Sequence, residues 1–199
     1  MKRFPLAVVC LLVSLVLAPS MLAQLTKVSV SRAQLTPVFG TARIADLDSP
    51  VWTSGTLRSR VYRATSGTPA AGLYVYEYSL DLRDVVGVTA IPFITSLSLD
   101  FGPVNAIDFN GDATAEHLFV VSKGLGIGNV APATATKSAN IVTFTFNPSV
   151  GGGSAPGNGD RTYVFGLVSK HAPRQIHATV QHNLGGAPLS LLVQAPDHR

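Results

Sequence analysis

Asp108, Asn110, Asp112 and Glu116 occupy positions 1, 3, 5 and 9 of the stretch DFNGDATAE, residues 108–116. Side-chain oxygens at alternate positions of a tight loop can converge on one hard cation. Calcium, which takes six to eight oxygens, is the ion that suits them. The same residue types can instead fold an Asx-rich turn, in which each side chain accepts hydrogen bonds from its own backbone. Both readings stand at this point. An EF-hand is a poorer match, because Ala113 takes the glycine position and Phe119 the position of the bidentate glutamate.

A second group is aromatic. In GLYVYEYSLDL, residues 72–82, Tyr74, Tyr76 and Tyr78 fall on every second position. In a strand they share one face with Leu80 and Leu82, opposite Leu73, Val75, Glu77, Ser79 and Asp81. The tyrosine face carries no charge, so the spacing predicts that it points inward, each hydroxyl finding a partner. The alternative is an exposed platform that stacks on sugar rings, to which Trp52, the single tryptophan, could add. Arg58, Arg60 and Tyr62 of TLRSRVYR also share a face. Beside the tyrosine row they would make a wetter surface, suited to sugars or anions.

Other chemistry finds little footing. His177 and His182 have opposite strand parity, and no HExxH or cysteine-rich zinc spacing occurs. No Gly-x-Ser-x-Gly turn nominates a nucleophile. Asp46, Asp48, Glu77, Asp81, Asp84 and Asp100 read as surface carboxylates. No catalytic residue is expected, and no cofactor beyond calcium.

Strands must position these groups. Short β-branched and aromatic runs bounded by Gly, Pro, Asn and Ser are expected at 25–30, 55–64, 72–82, 85–91, 93–101, 117–122, 140–147, 161–169, 174–183 and 188–194. Their number and spacing predict an all-β, antiparallel sandwich, Ig-like or jelly-roll-like. GGGSAPGNGD, 151–160, reads as a long hairpin loop between paired strands.

The N-terminus reads as a signal peptide over 1–23. Lys2 and Arg3 precede an apolar run from Phe4 to Ala18, and Ala23 offers the small residue for cleavage. The run is shorter than the roughly 20 residues that a membrane span needs. The expected mature chain, 24–199, is one domain without cysteine, since Cys10 lies in the leader. Removing Lys2 and Arg3 from 15 basic residues leaves 13 against 11 acidic ones, a mild balance with no basic run. That excludes a nucleic-acid footprint.

The loop 108–116 resembles the calcium loop of FG-GAP-type repeats, DFNGDG followed by an acidic residue, and departs from it at Ala113. More broadly, SGTLRSRVYR, GLYVYEY and YVFGLVSKHAPRQIHATVQ resemble uncharacterised exported bacterial β-sandwich proteins. Many of these are sorted by a PEP-CTERM tail, which is absent here. The resemblance implies a sandwich and export, and no activity. The expected protein is secreted or periplasmic and non-enzymatic, with a structural, adhesive or matrix role. Its expected partners are an extracellular polysaccharide or a matrix protein. A carbohydrate-binding module, calcium-stiffened, is the alternative, and a small secreted hydrolase the third reading.

Overall fold

The computed structural model describes residues 22–40, 42–124 and 127–199, so the leader expected over 1–23 lies almost wholly outside the described residues. Alternating apolar residues give twelve strands in two six-stranded sheets. The first sheet holds β1 (Ala23–Gln24), β8 (Pro132–Ser138), β9 (Ile141–Gly151), β6 (Phe93–Asp100), β11 (Pro173–His182) and β12 (Leu189–Pro196), in that order. The second holds β2 (Lys27–Ser31), β7 (Leu118–Lys123), β10 (Val164–Ser169), β5 (Tyr74–Asp81), β4 (Gly55–Arg63) and β3 (Arg43–Val51). All neighbours run antiparallel except β2 and β7, which are parallel. The fold is an all-β sandwich of one domain. No helix among the described residues is long and apolar enough to cross a membrane.

Two cores hold the molecule. The larger lies between the sheets, where Phe144, Val142 and Leu97 meet Tyr76, Tyr78, Phe165 and Leu167. The smaller lies outside the second sheet, where α1 (Arg32–Phe39) lays Leu35, Val38 and Phe39 over Val30, Val75, Phe119 and Val168. The central strands of that sheet are therefore buried on both faces. This explains the unbroken apolar runs LFVV in β7 and VFGLV in β10. Gly166 lets the layers approach: a Cβ there would stand 2.5 Å from the Phe119 ring.

Helix α1 is short and contains Pro37, so its start must be well held. Ser31 accepts from the Gln34 backbone N–H while the Gln34 side chain accepts from the Ser31 N–H, a reciprocal capping box.

Both lateral sides of the sandwich are closed. On one side the chain passes from β1 in the first sheet directly to β2 in the second, and Lys27 Nζ donates to the Pro132 carbonyl at 2.7 Å. On the other, β12 is stitched to the opposite sheet. Ser49 Oγ donates to the Leu192 carbonyl at 2.6 Å, Gln194 N–H donates to Ser59 Oγ at 2.9 Å, and Tyr78 Oη donates to the Gln194 carbonyl at 2.8 Å.

The structure corrects several expected elements. Residues 85–91 form no strand; Val86 makes one isolated bridge and Val88 is 96% exposed. Segment 151–160 is not a hairpin loop, because β9 and β10 belong to different sheets and the segment crosses between them. Strands β1, β3 and β8, and helix α1, stand where no element is expected.

Candidate functional site

The loop 108–116 is folded upon itself. The Asp108 carboxylate accepts from the backbone N–H groups of Asn110, Gly111, Asp112 and Ala113, the shortest bond being 2.7 Å to Gly111. Asn110 Nδ2 donates to Asp112 Oδ2 at 2.8 Å, and Asp112 Oδ1 accepts from the Thr114 N–H. Glu116 is turned inward beneath the loop. Desolvation raises the Asp108 pKa, but the four backbone bonds together outweigh it and hold the carboxyl below the usual range. Glu116 moves the other way: desolvation raises its pKa, aided by Asp112 and Asp108. The oxygens expected to meet calcium are thus engaged by the loop's own N–H groups. Among the described residues no three His, Cys, Asp or Glu side chains are grouped to hold a metal.

The tyrosine row faces the core. Tyr76 and Tyr78 are fully buried, their hydroxyls donating to the carbonyls of His171 and Gln194. Burial raises both pKa values. Tyr74 is half-buried beneath the Arg63 guanidinium, 5.9 Å from its ring centroid. Trp52, also half-buried, sits in the β3–β4 turn at φ 53° with His182 against its edge. That turn adjoins the C-terminal end of β5, whereas Tyr74 lies at its N-terminal end. Trp52, Tyr74, Tyr76 and Tyr78 therefore form no common sugar platform.

The opposite face of β4 and β5 holds a cluster of charges. Register pairs Arg58 with Ser79, Arg60 with Glu77 and Tyr62 with Val75, so Tyr62 stands across the sheet from the tyrosine row. Strand β3 adds Asp46 beside Arg60 and Asp48 beside Arg58. Arg58 grips Asp48 through Nε at 3.0 Å and Nη2 at 3.1 Å, and Arg60 Nε meets Asp46 at 3.2 Å. Glu77, expected on the surface, is only 4% exposed and is gripped by both terminal nitrogens of Arg32 from α1.

Arg32, Arg58, Arg60 and Arg161 line one pocket there with Glu77 and Ser79. Arg161 enters from the segment before β10, across an isolated bridge from Asp81. Its Nε is fully buried without a hydrogen-bond partner among the described residues, and its nearest carboxylate oxygen, Asp81 Oδ2, is 3.6 Å away. Burial lowers the Arg161 pKa; Asp81 opposes this, while Arg83, Arg58 and Arg60 add to the lowering. The pattern Arg58-x-Arg60 was visible in the sequence as one face of a strand. The arrival of Arg32 and Arg161, from distant segments, was not.

Comparison with known proteins adds no relative: no family model, no curated protein and no solved structure matches this chain.

Proposed function

We propose that the protein is an exported, non-enzymatic β-sandwich with a structural or adhesive role outside the cytoplasm. The supporting observation is the use the fold makes of its charges. Arg58–Asp48, Arg60–Asp46, Arg32–Glu77 and Arg174–Asp100 each join two separate elements, so these ionisable groups brace the sandwich itself. The leader-like segment supports export. Strand β1 begins at Ala23, so cleavage after that residue removes one residue of one edge strand and leaves the other strands intact.

The carbohydrate-binding alternative retains Trp52, whose left-handed backbone and partial exposure set it on a turn. The test of the main reading is cell fractionation with mass analysis of the N-terminus. The expected product lies outside the cytoplasm and begins at Gln24. A cytoplasmic product beginning at Met1 would sink the reading.

A further inference from the structure

The geometry points to an oxyanion-binding site, for a carboxylate or sulfate group, in the pocket that Arg32, Arg60 and Arg161 share on the outer face of β4 and β5. It stands apart from the export reading and rests on three observations.

The first is an orphan donor. Arg161 Nε is buried with no hydrogen-bond partner. A buried N–H left unpaired is costly, and a charged one more so. The nearest carboxylate does not serve it. Asp81 is taken by Arg83, which reaches it through Nε at 2.9 Å and Nη2 at 2.7 Å. The Arg161 main chain is held in place beside the pocket, its backbone N–H donating to Asn129 Oδ1 at 2.9 Å and its segment bridging Asp81.

The second is the charge of the lining. Four guanidinium groups face one carboxylate, Glu77, and Arg32 already neutralises that carboxylate. Asp46 and Asp48 stand directly across the β3–β4 register from Arg60 and Arg58, outside the pocket lining; Asp48 engages Arg58 through two nitrogens, whereas Asp46 is shared between Arg60 and Arg43. A water molecule could accept from Arg161 Nε, but it would not relieve the repulsion among the arginines. An anion does both.

The third is unused donor capacity. A guanidinium carries five N–H groups in a planar fork that suits carboxylates and other oxyanions. Arg60 gives only Nε to Asp46, leaving both terminal nitrogens, and Arg161 gives none of its side-chain donors to another described residue. Ser79 adds a hydroxyl to the same wall. Charge-assisted bonds of this kind are short and strong, so a small pocket with one buried donor and several part-exposed ones can hold one oxyanion. The group is either a free anion or a substituent of an acidic polysaccharide.

The experiment follows the arginine Nε–H resonances of the 15N-labelled protein during titration with sodium sulfate, at ionic strength held constant with chloride. A saturable shift of the Arg161 resonance is expected. Arg161→Gln should weaken sulfate binding at least about tenfold. Arg60→Gln, whose partner Asp46 is exposed, provides a second variant and should weaken binding as well. An oligouronate and uncharged dextran separate the sources. Tighter binding of the oligouronate than of sulfate identifies a polysaccharide, and equal binding per anionic group identifies the free ion. A linear, non-saturating drift, undiminished binding in Arg161→Gln or Arg60→Gln, or dextran binding as well as oligouronate overturns the site.

Discussion

Ala113 holds a left-handed backbone, φ 69°, at the position where a glycine would be unstrained. The strain of such a residue is about 1–2 kcal/mol. It persists because the Ala113 N–H is fixed to Asp108 Oδ2 at 2.8 Å, within a carboxylate that gathers three further backbone N–H groups. Ala113→Gly should therefore stabilise the protein. Part of the relief is lost to the greater freedom of glycine in the unfolded chain, leaving a gain of about 0.5–1 kcal/mol in urea unfolding. A loss of stability would mean that the turn is held by something other than this cap. The alternating oxygens of this loop were legible in the sequence. Their direction was not, because a loop that binds a cation and one that binds its own N–H groups use the same residue types.

Besides the apolar packing of α1 over Val75, an ion pair joins the helix to strand β5. Arg32 stands at the first turn of the helix and reaches Glu77, which is nearly inaccessible, so removing the arginine strands a buried carboxylate. Arg32 is itself 47% exposed, and solvent screening reduces the effect. Arg32→Ala should cost about 2 kcal/mol, and adding Glu77→Gln should return part of it. Equal stability of the single and double variants would break this link.

The same elements show what the sequence could reveal. The period of two in β5 placed Tyr76 and Tyr78 in the core and separated them from Glu77 and Ser79. It could not show that a helix and four arginines would cover the polar face. Helix α1 offered one signal, Ser31 followed at the third residue by Gln34, and hid the rest behind Pro37 and its eight-residue length. Strand β3 reads as a loop because Asp46, Asp48 and Pro50 are poor strand formers. As an edge strand it tolerates them, and its charges meet Arg60 and Arg58. Residues 85–91 are the reverse case: β-branched residues with no neighbouring edge to pair with along their length.

At the scale of the molecule, hydrogen bonds close both sides of the sandwich, where other domains use covalent staples. The seam of β12 against β3 and β4 is joined by hydroxyls as well as by packing. Ser59→Ala would leave the buried Gln194 N–H without its acceptor, costing about 1–3 kcal/mol. Hydrogen exchange should show the amide of Gln194 losing protection before those of β9. Unchanged protection would mean that packing alone seals the seam. The first sheet carries a consequence of another kind. Its six strands alternate in direction without exception, with β1 at one edge and β12 at the other. Five reversals bring the start of β1 and the end of β12 to the same pole. Val88, Ile91 and Leu184, all exposed, lie at the opposite pole, beside the start of β6 and the turn between β11 and β12. Eight to ten strand residues separate the poles by about 30 Å. A tether at either terminus would thus stand the molecule upright and present the same apolar tip outward, whichever end were attached.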